Sequence, residues 1–482
     1  MHRIYLDKQI YSHLFKQEKA EYVELLEKIY QHKADFLFTY SHALLLDLKN
    51  DKSDIKFKEL DFIETIVEDN YLSYHSLEKQ TSCYLAKPNI AFKDVNVEDE
   101  KIDFSSIFDT EIEGLTNENV QLLQTAKTLF SEPIFDLSLF NLDKVPNDIS
   151  EKLSKVLPTE KASMNLYELM DYFMGLVPKI EADKTIYKGL RNITDKYLNN
   201  GRFTVDIDEI DFNENMKDSV LKKTFIEYVN SSLNPTGEKQ ISNYDFYTHA
   251  YFTLDLLGIS KDGSNVKFRN LLNDGFHSYY GAFCDCVVSD DSGFLRKTKV
   301  LYKLLGIEAK VYNVEEFIAA FDYQIENKEK DFIDFYKCVN YSIENGEVLN
   351  TQKLENDNFT VTFKPLINFF GYFNRILVHM MNEKNYTSIY HESDNYSNFT
   401  FYHEYEFVVN RTVKHLGNDI NNKGLYDWGL ENQLIKEQKW EGRTWDFGII
   451  KIIIEINSSS KKLVMWLIRN DEIENTIVTE KV

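Results

Sequence analysis

Apolar positions follow two alternating periods over the first 80 residues of the chain. Residues 3–7 form a short apolar run that ends in an acid, which predicts a buried strand. Residues 17–31 carry apolar side chains at helical spacing, and the run at 34–40 predicts a second strand. A further helix is predicted over residues 61–68. Strands and helices that alternate in this way favour a parallel α/β sheet.

The same alternation returns after residue 240. The predicted elements are helices over 246–257, 267–283 and 295–305 and strands over 286–289 and 309–312. We therefore expect residues 1–80 and 241–318 to be the two parts of one α/β domain, with residues 81–240 inserted between them.

Proline is concentrated in this inserted segment. Six of the 7 prolines lie between residues 88 and 235. Because proline ends helices and is excluded from central strands, the insertion is predicted to consist of short elements. Helical periodicity between these breaks predicts that residues 81–240 are mostly helical.

The last part of the chain, residues 319–482, mixes both periods. We predict helices over 326–344 and 365–382 and strands over 358–363 and 400–408. Two apolar runs, 447–456 and 463–468, are joined by a polar turn and predict a terminal hairpin. This part is interpreted as an α+β domain of unknown role.

The charge balance limits the classes of partner. The 482 residues include 78 acidic and 55 basic side chains, a formal net charge of −23. A strongly negative field repels polyanions, which argues against a broadly basic binder of nucleic acid or of a membrane surface. A local basic patch remains compatible with this balance.

Cysteine usage and the chain start indicate the compartment. The 4 cysteines include no Cys-x-x-Cys pair, and Cys284 and Cys286 are interpreted as buried apolar residues. The first residues lack the unbroken apolar core of a signal peptide, and the apolar stretch 448–456 is too short to span a bilayer. We therefore expect a cytoplasmic protein.

Four acids lie at the carboxyl ends of predicted strands or on the helices beside them. They are Asp7, Asp47, Asp274 and Asp291. Carboxylates that converge on one cleft repel each other unless a cation binds, and their hard oxygens suit Mg²⁺ or Mn²⁺. Taken singly, Asp7 and Asp47 are also compatible with helix caps, and Asp290 and Asp291 with a solvated turn.

These residues lie in three segments that resemble the PIN-like nuclease superfamily. The segments are IYLD at 4–7, YSHALLLD at 40–47 and DGFHSYYGAFCDCVVSDD at 274–291, followed by a helix over 295–307. The resemblance covers residues 1–80 and 241–315. It implies a PIN-like parallel sheet flanked by helices and interrupted by the insertion.

The resemblance also implies metal-dependent hydrolysis of phosphodiester bonds, usually in RNA, with Mg²⁺ or Mn²⁺ as cofactor. It makes Asp7 and Asp291 metal ligands, Asp274 a ligand or a group behind the ligands, and Asp47 the acid that completes the catalytic set. Ser289 is expected to hydrogen-bond Asp7 or a substrate phosphate. His277 is expected to orient a ligand or to contact a phosphate.

Two positions depart from the family pattern. The second acid is usually a glutamate on a helix, so Asp61 or Glu64 are alternatives that could share the role of Asp47. The last acid has two adjacent candidates, and Asp291 is preferred over Asp290 because the Ser-x-Asp spacing fits the family's Thr-x-Asp.

A basic helix face follows Asp291. Arg296, Lys299 and Lys303 are spaced by three and four residues, so they share one face and predict a strip that guides phosphates towards the metal. The resulting hypothesis is a regulated endoribonuclease, a toxin-like or phage-defence effector, with a possible protein partner or homo-oligomer and no membrane. The alternative is a non-catalytic PIN-fold protein that binds or regulates other proteins.

Overall fold

The computed structural model describes residues 2–95 and 268–469, except 327–329, 355–357, 381–384 and 393–398, together with parts of 135–261. The chain divides into two compact units. The first unit is Met1–Val95 with His277–Val482, and the second is Asn96–Phe276.

A six-stranded mixed sheet lies in the first unit. Its strands are β1 (Arg3–Leu6), β2 (Leu37–Ser41), β3 (Asn70–His75), β4 (Gln80–Leu85), β7 (Cys286–Val288) and β8 (Lys310–Tyr312). The order is β4-β3-β2-β1-β7-β8, and all neighbours are parallel except β3 and β4. Every residue of β1, β2 and β7 is buried, as expected for parallel strands covered on both faces.

Helices cover both faces of this sheet. They are α1 (Lys8–Lys16), α2 (Ala20–His32), α3 (His42–Asn50), α4 (Ile55–Val67), α5 (Pro88–Val95), the end of α11 (Phe268–Gly281), α12 (Ser292–Leu305) and α13 (Val314–Glu326). In α2 the buried residues Tyr22, Leu25, Leu26 and Ile29 lie on one face, as the periodicity predicts. The α/β class predicted for this part of the chain is therefore confirmed.

A second, antiparallel sheet of seven strands belongs to the same unit. Its strands are β9 (Glu347–Lys353), β10 (Phe359–Lys364), β11 (Arg375–Met380), β12 (Asn385–Tyr390), β13 (Arg443–Asp446), β14 (Ile450–Ile456) and β15 (Leu463–Arg469), in the order β13-β14-β15-β12-β11-β10-β9. The helices of this part are α14 (Phe332–Asn345), α15 (Glu404–Leu416) and α16 (Trp428–Lys436). The predicted terminal hairpin is present as β14 and β15.

Buried charges join the second sheet's helix α15 to the start of β1. Arg3 donates from Nε to Glu404 at 2.6 Å, and His2 Nε2 lies 2.7 Å from the same carboxylate oxygen. Burial alone would raise the pKa of Glu404, but Arg3 and His2 hold it well below its usual range. The amino end of β1 is therefore fixed by ion pairs rather than by apolar contact alone.

The described parts of the second unit are mostly helical. Its helices are α6 (Asn147–Leu153), α7 (Lys184–Thr194), α8 (Phe212–Asn215), α9 (Phe225–Leu233), α10 (Asn243–Leu256) and the start of α11, and β5 (Phe135–Asp136) pairs with β6 (Ser163–Met164). A capping box of Thr224 and Glu227 starts α9. Much of the predicted insertion, including 96–134, lies outside the described residues.

Two predictions beyond residue 319 are wrong. The helix predicted over 365–382 is instead a turn followed by strand β11, because Phe370 and Gly371 adopt positive φ angles of 50° and 71° and break any helix there. The strand predicted over 400–408 is the start of helix α15. Helices α1 and α13 lie where no helix was predicted, and the expected domain boundary at 318–319 falls within α13.

The cysteine interpretation is confirmed, since Cys284 and Cys286 are buried and not paired in a disulfide. Among the described helices, none has the length and apolar character needed to cross a bilayer.

Candidate metal centre

The candidate site lies at the carboxyl ends of β1 and β7, two adjacent inner strands of the first sheet. Strands β2 and β3, which follow β1 in the chain, lie on one side of it in the sheet, whereas β7 and β8 lie on the other side. The direction in which successive strands are placed therefore reverses between β1 and β7. In open α/β sheets the crevice at such a reversal is where ligands bind. The pairing of Leu6 with Val288 sets Asp7 and Ser289 side by side beyond the strand ends.

Asp7 is held by Ser289. The Ser289 hydroxyl donates to Asp7 Oδ2 at 2.7 Å, which is one of the two contacts expected from the sequence. Burial raises the pKa of Asp7, and this effect outweighs the lowering by His277 and by the Ser289 hydrogen bond. Asp7 occupies the N-cap position of α1 but makes no capping hydrogen bond. Its carboxylate therefore contacts Ser289 and does not cap the helix.

Asp47 projects from α3, the helix that directly follows β2. It is the sixth residue of this helix and so cannot act as an N-cap. The other face of α3 buries Ala43, Leu44, Leu45 and Leu48, and this packing fixes the helix against the sheet. The Asp47 side chain is 32% exposed, and its Oδ2 lies 3.0 Å from Nε2 of His277.

His277 completes the group from the other face of the sheet. Its side chain is 1% exposed, and Nε2 lies 3.9 Å from Asp7 Oδ1 as well as 3.0 Å from Asp47 Oδ2. The other ring nitrogen, Nδ1, lies 2.6 Å from the hydroxyl of Tyr5. Both carboxylates thus face one nitrogen, and a neutral hydroxyl faces the other.

Tyr5 determines what His277 can do. The Tyr5 hydroxyl is also 2.6 Å from the Ser41 hydroxyl. With a proton on Nδ1, His277 donates to Tyr5 and Tyr5 donates to Ser41, and the lone pair of Nε2 then faces Asp47 and Asp7, where it could bind a cation. Burial raises the pKa of Tyr5 well above its ordinary value, so the hydroxyl keeps its proton.

A glycine allows helix α11 to approach the sheet beside this group. A Cβ added at Gly281 would lie 2.8 Å from the Val287 Cβ, closer than such atoms approach in proteins. Gly281 follows His277 by one helical turn. The close contact of α11 with β7 therefore fixes the position of His277 relative to Tyr5.

The donor atoms of the group could hold a divalent cation. One atom each from Asp7, Asp47 and His277 lies within 4.8 Å of the other two. Two ligand atoms on opposite sides of a cation, each about 2.1 Å away, are about 4.2 Å apart. A small contraction of the group would therefore enclose a metal ion, with open positions towards solvent at the exposed part of Asp47.

The structure does not bring Asp291 into this group. Asp291 starts helix α12, and its carboxylate accepts a capping hydrogen bond from the Phe294 amide at 2.8 Å. The neighbouring Asp290 accepts from the Tyr22 hydroxyl and from the Val314 amide. Both acids therefore stabilise local structure.

The remaining predicted acids have different positions. Asp274 lies three residues before His277 on α11, in the second unit, and its role as a ligand stays a prediction. The alternatives Asp61 and Glu64 lie on α4, where Asp61 accepts from Asn89 at 2.7 Å and Glu64 pairs with Lys87 at 2.8 Å. These two acids serve surface contacts instead of the group around Asp7.

The predicted basic strip is divided between two places. Lys299 and Lys303 line a cavity together with Asp285 and Lys310, which precede β7 and begin β8. This is the amino end of the parallel strands, opposite Asp7. Arg296 lies nearer the start of α12 and is the member of the strip that remains a candidate for guiding phosphates.

Sequence reasoning did not assign a role to Tyr5. A signal was present, because Tyr5 lies between the apolar residues Ile4 and Leu6 of a strand and therefore points to the opposite face from both. A phenol buried at such a position needs a hydrogen-bond partner. Nothing in the sequence alone identifies that partner as His277, 272 residues away.

Comparison of this protein with family models, with curated proteins and with solved structures gives no significant match. The geometry of the Asp7, Asp47 and His277 group is therefore the basis for assigning a function.

Proposed function

We propose that this protein is a metal-dependent nuclease that hydrolyses phosphodiester bonds, with RNA as the favoured substrate. The observation that carries this proposal is the convergence of Asp7, Asp47 and His277 within 4.8 Å at the carboxyl edge of a parallel sheet. The resemblance of the same three segments to the PIN-like nuclease superfamily supports it.

Each residue of the group has a role. Asp7, Asp47 and His277 hold a divalent cation, Ser289 orients Asp7, and Tyr5 orients His277. A bound cation would lower the pKa of a water ligand and stabilise negative charge on the phosphate. The Asp7 side chain is 14% exposed and that of Asp47 32%, so the site is open to a substrate phosphate.

The donor set favours Mn²⁺ over Mg²⁺. Carboxylate oxygens suit both ions, but Mg²⁺ is bound almost entirely through oxygen, whereas imidazole nitrogen is a better ligand for transition metals. We therefore expect Mg²⁺ to bind more weakly than Mn²⁺.

The net charge of −23 is consistent with a selective or gated nuclease. An acidic surface keeps bulk nucleic acid away, while a cation bound between Asp7 and Asp47 and the guanidinium of Arg296 attract a phosphate locally. In this proposal the first sheet is a PIN-like domain interrupted by the helical insertion. The second sheet and the insertion recognise a trigger or partner, as in a toxin-like or phage-defence effector.

The test is cleavage of labelled RNA and single-stranded DNA by the full-length protein with Mn²⁺ or Mg²⁺. We expect Mn²⁺-dependent cleavage of RNA that falls at least about a hundredfold in Asp7→Asn, Asp47→Asn and His277→Gln. The matched control is Asp61→Asn, which removes an acid on α4 that pairs with Asn89. Its activity should equal that of the unsubstituted protein.

Equal activity in Asp7→Asn and in the unsubstituted protein would refute the assigned site. If Asp291→Asn abolished cleavage while His277→Gln did not, the site would instead be built around Asp291, as the sequence resemblance implies.

One observation favours the alternative function, a non-catalytic protein that binds other proteins. Strand β9 is the edge of the second sheet, and every one of its residues is exposed, with Val348 at 56% and Leu349 at 41%. An exposed edge strand is a template for pairing with another chain. Folded protein that binds no Mn²⁺ and cleaves neither substrate would favour this alternative.

A further inference from the structure

A cavity of about 610 Å³ opens at the amino ends of β1, β7 and β8, on the opposite edge of the first sheet from the candidate metal centre. Its wall includes Asp285 and Lys310 at the starts of β7 and β8, and Lys364 at the end of β10 in the second sheet. Asp7 lies four residues beyond Arg3, about 13 Å along the extended strand. The cavity is therefore separate from the site at Asp7.

The charge of this cavity wall is opposite to that of the chain. Six cationic side chains line the cavity and only three acidic ones, whereas the whole chain has 55 basic and 78 acidic residues. The cations are Arg3, Lys299, Lys303, Lys310, Lys364 and Arg375.

The acids of the wall are already neutralised. Asp285 Oδ2 lies 3.0 Å from His2 Nδ1, and burial, which would raise its pKa, is outweighed by His2, so the pKa of Asp285 is held low. Glu308 and Glu392 both pair with Arg375, at 3.5 and 2.8 Å. These contacts of the three acids do not involve Lys310 or Lys364.

Four lysines from three elements face the cavity. Lys299 and Lys303 come from α12, Lys310 from β8 and Lys364 from β10. Lys299 makes an ion pair of 3.6 Å with Glu316. Among the residues that the structure describes, no carboxylate lies within ion-pair distance of Lys310 or Lys364. Lys310 and Lys364 therefore bring to the cavity positive charge that none of these carboxylates matches, and an anion bound between them would lower their mutual repulsion.

The size and apolar part of the wall define the class of anion. Cavities of about 300–1,000 Å³ hold small molecules the size of a cofactor. Phe283, Tyr302 and Tyr312 line the same cavity and offer aromatic surface beside the lysines. An aromatic base with attached phosphates has this combination of an apolar ring and concentrated negative charge.

We propose that this cavity binds a phosphorylated small molecule of nucleotide size. The ligand lies between lysines of the first sheet and Lys364 of the second, so its binding ties the two sheets together. This places a second ligand site at the amino edge of the strands whose carboxyl edge carries Asp7, and it holds whether or not the protein is a nuclease.

The experiment is calorimetric titration of the full-length protein with ATP, AMP, inorganic pyrophosphate, adenosine and citrate. EDTA is present throughout, so the acids around Asp7 carry no metal that could bind phosphate. We expect ATP or AMP to bind, with pyrophosphate weaker and adenosine and citrate undetected. The double substitution Lys310→Ala/Lys364→Ala should lower nucleotide affinity on the order of tenfold to a hundredfold.

The matched control is Lys58→Ala/Lys436→Ala, which removes two exposed lysines from α4 and α16 outside the cavity and should leave affinity unchanged. Thermal unfolding without ligand checks that both double variants fold. Lys310→Glu reverses one charge of the cavity wall and should also lower nucleotide affinity. The proposal is overturned if no phosphorylated probe binds, if citrate binds as well as ATP, or if the cavity and control variants bind alike.

Discussion

Two histidines of the first unit each lie among two carboxylates, yet their surroundings differ. His403 has Asp69 at 2.8 Å from Nε2 and Glu406 at 3.1 Å from Nδ1, one acid on each side of the ring. His277 has both Asp7 and Asp47 near Nε2, with the hydroxyl of Tyr5 at Nδ1. One histidine and two carboxylates therefore form two different kinds of group.

This difference separates a structural ion pair from a candidate metal site. Burial lowers the pKa of His403, but hydrogen bonds to Asp69 and Glu406 outweigh it and raise the pKa to about 9, so the ring is cationic at neutral pH. Acids on opposite sides of an imidazole cannot share one ion. Acids on the same side can, and around His277 the second nitrogen is fixed by a neutral partner.

The largest expected effect is on metal binding. His277→Gln should weaken Mn²⁺ binding by about a hundredfold or more, because the cation loses a ligand and the acids lose their orienting partner. His403→Gln, the matched control, should change the affinity by less than about twofold. Calorimetric titration with Mn²⁺ measures both. Equal losses in the two variants would show that the geometric distinction between the histidines has no functional meaning.

The second expected effect is on the stability of the fold, and it belongs to His403 and not to His277. Because the pKa of His403 rises from 6.5 in the unfolded chain to about 9 in the folded protein, its contribution is complete below about pH 6.5 and is lost as pH rises through about 9. After allowance for solvent screening of a side chain that is 19% exposed, the contribution is about 2 kcal/mol.

We therefore expect His403→Gln to be less stable than the unsubstituted protein at pH 6 and nearly equal to it at pH 10. Urea unfolding at the two pH values measures this. The control is His379→Gln, since burial lowers the pKa of His379 and the difference should stay flat between pH 7 and pH 10. A His403→Gln difference that grows with pH would contradict the cationic ion pair.

The smallest effect sharpens the role of the neutral partner. Tyr5→Phe removes the hydroxyl that faces His277 Nδ1 and should lower Mn²⁺ affinity by about tenfold, as loss of a group behind a metal ligand does. Tyr11→Phe is the control, because its hydroxyl contacts only the Thr39 carbonyl, at 3.4 Å, among the described residues. If both substitutions left the affinity unchanged, Tyr5 would have only a packing role.

The sequence predicted the first sheet better than the second. Strands β1, β2 and β7 are short runs buried on both faces, so their apolar character alone identifies them. Residues 400–408 were predicted as a strand, but α15 begins at Glu404, continues to Leu416 and buries Phe407, Val408 and Arg411 on one helical face. The longer helical period determines the structure there.

The candidate site was predicted in part for a physical reason. Asp7 directly follows the end of β1, and Asp47 lies on the helix that directly follows β2, so both positions can be inferred from local sequence. Whether Asp291 turns towards Asp7 or caps α12 depends on side-chain rotation after Ser289, which local sequence does not determine. The approach of His277 to Asp47 depends on α11 packing closely on β7 at Gly281, a contact distant in sequence.

The most direct test of the metal site is the anomalous difference density of crystals grown with Mn²⁺. We expect one strong peak about 2.1 Å from a carboxylate oxygen of Asp7, a carboxylate oxygen of Asp47 and Nε2 of His277. No peak there, or a peak at Asp290 and Asp291 instead, would contradict the assignment.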